Sequence, residues 1–246
     1  MITCKLYGRL GNQMFQIVAT IGTAIKHGVE YKIPTVTADP ATFKTYFNHF
    51  PALTSQDIIT GTYNEQGHQH HEIPFTDGMC LNGYFQSEKY FSHCRQQILD
   101  AFKIYCPPIT HTASIHVRRG DYLNYPDKFN QISEDYLDEA IRFFCKKEIN
   151  SFLVFSDDVS WCRKNINDKI YEYNCDFRFS ENKSELYDMA LMSGCEHHII
   201  GNGSSFSWWG AWLNRNPDKI VIAPKKWFAN EEWNTDDIYC PDWIRL

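Results

Sequence analysis

The sequence predicts an α/β protein in which a parallel sheet carries helices on both faces. Three observations support that class. Beyond residue 109, short β-branched or aromatic runs alternate with helical patterns, the rhythm of repeated β-α units. The chain also opens on a strand, a glycine turn and an amphipathic helix, as nucleotide-type α/β units do. Between these regions lies Cys106-Pro107-Pro108, where a double proline stops one helical pattern before the next begins. It places the domains at 1–108 and 109–246.

Taken in order, Ile2–Tyr7 reads as a strand. Met14, Ile17, Val18, Ile21 and Ile25 then share one face of a helix over Met14–Lys26. From Tyr31 to Asp77 aromatics and prolines are scattered without a period, and His68-Gln69-His70-His71 reads as a solvated loop rather than a metal site. A helix follows over Arg95–Phe102. After the prolines, Ser114–Val117 is a strand. Ser133 caps a helix whose first turn is acidic and whose end carries Lys146-Lys147, matching the helix dipole. Phe152–Phe155 is a strand, Ser184 caps another helix, His198–Ile200 is a strand, Phe206–Leu213 a helix and Ile220–Ala223 a strand.

Composition narrows the function classes. A 43% hydrophobic, 15% aromatic chain can bury a sizeable core. A net charge of −6 without a basic run argues against nucleic acid or an anionic membrane as the main partner, so any anion site is a local patch. Nine cysteines with no C-x-x-C pair, most in apolar neighbourhoods, are expected as buried thiols of a reducing compartment. No apolar stretch reaches the ~18 residues of a membrane span, and the amino terminus lacks a leader pattern. A cytoplasmic protein follows, either free or peripheral on the inner face of a membrane.

Three strand ends in the second half present chemistry. Ser114–Val117 delivers Arg118-Arg119-Gly120-Asp121 at its carboxyl end, where open α/β sheets bind ligands. Two adjacent guanidiniums call for an anion, and their forked geometry suits phosphate; the alternative is a surface loop paired with carboxylates. Asn202-Gly203-Ser204-Ser205 opens a helix and would turn backbone N–H groups toward the same anion. Ser156-Asp157-Asp158 raises a metal site, yet adjacent residues on an extended chain point apart, so no metal is assigned. Trp208, Trp209 and Trp212 read as helix-to-sheet packing. Gly8-Arg9-Leu10-Gly11 lacks the G-x-G-x-x-G dinucleotide spacing, but its glycines would allow a ligand close to the backbone. Asp121 is a candidate general base, or else a structural partner of an arginine.

Four blocks together resemble a family: residues 8–16 (GRLGNQMFQ), 83–91 (GYFQSEKYF), 116–122 (HVRRGDY) and 204–213 (SSFSWWGAWL). In that order and spacing they are similar to the signatures of α-1,2-fucosyltransferases, glycosyltransferase family 11. The resemblance implies a GT-B fold, two Rossmann-like domains facing a cleft. It implies an inverting α-1,2-fucosyltransferase that moves L-fucose from GDP-β-L-fucose to a galactoside hydroxyl of a glycan, with no metal or other cofactor. The other reading is a lectin-like carbohydrate binder without transfer activity.

By the same resemblance Arg118 holds the donor diphosphate, Ser205 with Ser204 contacts it, and Asp188 recognises guanine. His116, Arg119, Asp157 and Phe206 complete the donor site. Arg118 and Asp121 are the expected catalytic residues, Asp121 as the candidate base named above, and Gly8, Gly11, Asn12 and Gln13 are expected to form a loop toward donor and acceptor. The chain departs from the bacterial pattern at Gly203, where asparagine is displaced to Asn202.

Overall fold

The computed structural model describes residues 1–37, 46–166, 173–181 and 184–246. The chain divides into two compact units. Met1–Lys103 with Trp233–Cys240 forms the first, and Ile104–Glu232 with Pro241–Leu246 the second. The division thus falls at Lys103–Ile104, just before the double proline, and a short carboxyl-terminal segment belongs with the first unit.

In the first unit, β1 (Ile2–Cys4), β2 (Gly61–Asn64) and β3 (Met79–Asn82) form a parallel sheet in the order β1-β3-β2. Helix α1 (Leu10–His27) starts four residues earlier than its apolar stripe suggests and is buried on nearly every side through Ala24. It ends at Gly28, whose left-handed φ of 65° closes the last turn. Close packing holds α1 against the turns at 88–94: a Cβ at Gly22 would lie 2.4 Å from the carbonyl oxygen of Tyr90. Strand β2 lies inside the stretch read as irregular; it is a mostly exposed edge strand, so no apolar alternation marks it. Part of that stretch, 38–45, lies outside the described residues. The His68–His71 run is a loop. Its His70 N–H donates to Asp237 at 2.8 Å, and its His68 ring packs on Trp233.

In the second unit, α2 (Arg95–Phe102) having closed the first, β4 (Ile109–Val117), β5 (Ser151–Ser156), β6 (Asp176–Phe179), β7 (Cys195–Ile199), β8 (Val221–Ala223) and β9 (Ile244–Arg245) form one parallel sheet, ordered β6-β5-β4-β7-β8-β9. Helices α3 (Glu134–Cys145), α4 (Val159–Ile166), α5 (Glu185–Gly194) and α6 (Ser205–Leu213) connect them. Ser133 and Ser184 cap α3 and α5, each accepting a backbone N–H at 3.1 Å from the residue three ahead. Ala113, Ile115 and Val117 of β4 pack with Leu137, Ile141 and Phe144 of α3 in the main core. Trp208, Trp209 and Trp212 are buried and pack on one another. All nine cysteines are free thiols, seven of them buried.

The strand order sets the site. From β4 the chain steps outward through β5 and β6, then returns to β7 on the other side of β4. The connections leaving β4 and β7 therefore diverge, the arrangement that opens a ligand crevice beyond the carboxyl ends in such sheets.

Candidate active site

Arg118 follows the last residue of β4, and Gly201–Ser205 follows β7 into α6. These chains approach closely: a Cβ at Gly201 would lie 2.7 Å from the carbonyl oxygen of His116. Ser204 is the N-cap of α6 and accepts the Ser207 N–H at 3.3 Å. The positive end of this nine-residue helix thus lies at the crevice. Gly203 has φ 58° and its carbonyl accepts the Tyr122 hydroxyl at 2.7 Å. That bond ties the loop after β4 to the loop after β7, and Tyr122 also stacks on Phe129 of its own loop at 4.0 Å.

Two arginines and three aspartates form ion pairs after β4 and β5, with the Arg118 guanidinium 5.6 Å over the ring of Tyr122, whose hydroxyl bonds the Gly203 carbonyl. Arg118 pairs through Nη2 with Asp121 Oδ1 at 2.5 Å and through Nη1 with Asp157 Oδ2 at 3.0 Å. Asp157 Oδ1 accepts the Arg119 backbone N–H at 2.9 Å. The Arg119 side chain turns aside: its Nε donates to Asp158 Oδ2 at 3.3 Å, and its guanidinium lies 4.2 Å over the ring of Trp161. Asp158 also accepts the Trp161 N–H at 3.0 Å, holding the start of α4. The two adjacent aspartates serve different arginines, and both arginines have the carboxylate partners that the plainer sequence reading allowed. Asp121, half exposed, sits in the ion pair with Arg118 that the partner reading describes.

His116 is buried with its ring 5.4 Å from Phe206. Its Nδ1 has no hydrogen-bond partner among the described residues. Desolvation, reinforced by Arg118, pushes its pKa down to about 3, so the ring is neutral. Asp188, on the first turn and a half of α5, is buried and accepts the Ser180 hydroxyl at 2.5 Å. Burial raises its pKa while Ser180 pulls it back. Ser180 escaped the sequence reading because a serine eight residues before an aspartate carries no motif.

The loop at Gly8 lies in the first unit and is internally braced. Gly8 has φ 73°, and a Cβ there would lie 2.5 Å from Asn12 Nδ2. Gln13 Nε2 donates to the Gly8 carbonyl at 3.1 Å, and Asn12 Oδ1 accepts from Gln86 Nε2 at 3.0 Å. Gly11 is buried in the first turn of α1. Glu65, which had no place in the sequence reading, accepts the Tyr84 and Phe85 N–H groups at 2.6 and 2.9 Å. That explains Gly83 in the second sequence block: a Cβ there would lie 2.3 Å from Glu65 Cβ. Among the described residues no group of three His, Cys, Asp or Glu side chains is placed to hold a metal ion, and no helix is long and apolar enough to cross a membrane.

Known proteins match this chain in sequence and in fold. The family model described as glycosyl transferase family 11 matches residues 1–246. An alpha-1,2-colitosyltransferase of Escherichia coli is 30% identical, covering 100% of this chain and 98% of its own. The O-antigen biosynthesis glycosyltransferase WbnK of Escherichia coli is 36% identical over 71% of this chain and 63% of its own. The galactoside 2-alpha-L-fucosyltransferase Sec1 of Mus musculus is 28% identical over 100% of this chain and 74% of its own. Among solved structures, POFUT1 in complex with GDP superposes with a TM-score of 0.53 at 12% identity, covering 90% of this chain and 97% of that one. The fold is thus the GT-B-type α/β fold of fucosyltransferases. The chain belongs to glycosyl transferase family 11 and is a glycosyl-transferring enzyme.

Proposed function

We propose that this enzyme transfers a 6-deoxyhexose, L-fucose in the first instance, from its GDP-β-linked donor to a galactoside hydroxyl, inverting the anomeric centre to give an α-1,2 linkage. The observation that carries the reading is the placement of Arg118 opposite the capped start of α6 at the switch point between β4 and β7. Arg118 and Ser205 at the start of α6 would face the donor diphosphate, and Asp188 would accept hydrogen bonds from guanine. The acceptor oxygen attacks C1 as the bond from C1 to the β-phosphate oxygen breaks. GDP departs with the electron pair, and the acceptor proton passes to a carboxylate, for which Asp121 is the candidate. Charge grows on the β-phosphate in that step, and a preorganised donor aimed at it is typically worth ~10²–10³ in rate.

The Arg118 fork and the start of α6 would face the diphosphate where other transferases place a metal, so the reading assigns no metal. Free thiols throughout suit a reducing, cytoplasmic setting. Fucose is the sugar named for the galactoside relatives, whereas the full-length relative is a colitosyltransferase, so colitose is the second candidate donor sugar.

The test is turnover of GDP-fucose and GDP-colitose with β-galactoside acceptors in EDTA, with linkage analysis of the product. An α-1,2 product formed in chelator supports the reading. Galactoside binding without GDP binding or turnover would favour the lectin and overturn it. Arg118→Lys keeps the charge but loses the fork, a hydrogen-bond loss of roughly 1.5–3 kcal/mol. It should therefore cut turnover at least ten-fold in a folded protein, and wild-type turnover in that variant would remove Arg118 from the diphosphate.

A further inference from the structure

Resting on the diphosphate assignment above, we infer that the two carboxylates on Arg118 have opposite jobs: Asp157 is a positioning residue that aims the guanidinium, and Asp121 is a placeholder that the donor diphosphate displaces. The asymmetry lies in how each is held. Asp157 follows directly on β5, whose Ser156 is in register with Val117 of β4, so it belongs to the same rigid sheet as Arg118. Both its oxygens are engaged, one by the Arg119 N–H at 2.9 Å and the other by Arg118 Nη1 at 3.0 Å. Its carboxylate fills the space beside Gly120, where a Cβ would lie 2.5 Å from Oδ2. Only glycine admits that approach.

Asp121 is held less firmly. It contacts Arg118 through one oxygen, has a side chain 45% exposed against 25% for Asp157, and sits in a one-turn helix of four residues. Charge also argues for displacement. Two arginines face three aspartates here, so a diphosphate meets a locally negative site unless one carboxylate leaves. Removing Asp121 frees Nη2 for a phosphate oxygen while Asp157 keeps the guanidinium in place. It also releases the carboxylate beside the bound donor, so donor binding would itself unmask the candidate base.

GDP affinity measured by calorimetry separates the two jobs by sign. Asp157→Asn keeps an acceptor for the Arg119 N–H but turns an amide N–H toward Arg118, and should weaken GDP binding at least ten-fold with an unchanged circular dichroism spectrum. Asp121→Asn should bind GDP as tightly as wild type or several-fold tighter, while losing turnover. In an Arg118→Lys background, Asp157→Asn should cost little further affinity, because it acts through the fork already lost; a purely structural role would give additive losses. Should Asp157→Asn fold poorly, Gly120→Ala displaces the same carboxylate from the other side and should reproduce the loss. Unchanged GDP affinity in Asp157→Asn or Gly120→Ala, or an Asp121→Asn that binds GDP more weakly, overturns the inference while leaving the diphosphate assignment standing. A wild-type chain that does not bind GDP overturns both.

Discussion

Lowering the pH from 7.5 to 5.0 should cost this fold several kcal/mol through its buried imidazoles. His198 shows why. Asn214 Nδ2 lies 2.5 Å from the Cys195 carbonyl, so it is a donor, and it also lies 2.7 Å from His198 Nε2, which must accept. Nδ1 then carries the proton and donates to Ser114 Oγ at 2.8 Å. A second proton on Nε2 would face an N–H with no room to turn. Burial, with Lys219 and His197 nearby, sets this pKa at about 3, and His116 sits at about 3 as well. Both folded-state values lie below the unfolded 6.5, so the unfolded chain binds protons first. Their contribution is whole above pH 6.5 and drains as pH falls toward 3. Each ring then loses about 1.4 kcal/mol per pH unit below 6.5. Between pH 7.5 and 5.0 the two together cost about 4 kcal/mol, or roughly 10 °C in Tm for a chain of this size. His197, whose Nδ1 accepts the Ile220 N–H, pushes the same way.

Half-buried Glu65 and buried Asp188 run in the opposite sense, since desolvation raises them and acid then favours the folded chain. A His198→Asn variant leaves those carboxyls in place and isolates one ring. Urea unfolding at several pH values is the assay. Wild type should lose stability steeply below 6.5, and His198→Asn, although weaker at pH 7.5, should show about half the slope. A flat wild-type profile to pH 5.0, or equal slopes, would refute the buried neutral imidazoles.

Two further expectations test particular contacts. Ser180→Ala removes the hydroxyl that holds Asp188 ionised against its burial. GDP affinity should fall about ten-fold, the cost of a hydrogen bond to a charged group, and its loss on acidification should begin at higher pH than in wild type; equal GDP affinity and pH profile would separate Asp188 from guanine. Gly22→Ala gains helix propensity but places a Cβ 2.4 Å from the Tyr90 carbonyl, so urea unfolding should show a net loss of about 1–3 kcal/mol, and no loss would mean that the packing of α1 is looser than drawn.

Most of the second unit was legible because its signals are local, although α4, β6 and β9 are short and mostly polar or exposed and were not read. Ser133 and Ser184 mark helix starts with an oxygen and an N–H three residues apart, β5 carries the continuous apolar run Phe152–Phe155, and β4 alternates apolar with polar residues from Ala113 to Val117. The first unit hides its pattern. Strand β2 is an exposed edge that needs no apolar alternation, and the first turn of α1, Leu10–Gln13, includes a buried glycine and a buried glutamine that extend no stripe. Glu65 is less visible still, because its partners are backbone N–H groups nineteen and twenty residues away.

At the site, the residue types were legible while their pairing was not, and one structural number explains the difference. The parallel register aligns Val117 with Ser156. Continued past the last ladder bond, that alignment sets Arg118 beside Asp157 and Arg119 beside Asp158, and the ion pairs follow it. A slip of one residue would place Arg118 beside Ser156 and hand Asp157 to Arg119, leaving the guanidinium at the mouth of the crevice without its holder. Adjacent arginines and adjacent aspartates look alike in the sequence under either alignment. The register is decided elsewhere, by Ala113, Ile115, Val117, Phe152 and Val154 all facing the core. The position of Arg118 beside Asp157 is therefore set by apolar residues of β4 and β5, and on the proposed diphosphate role a core substitution that shifted β5 against β4 should lower GDP affinity.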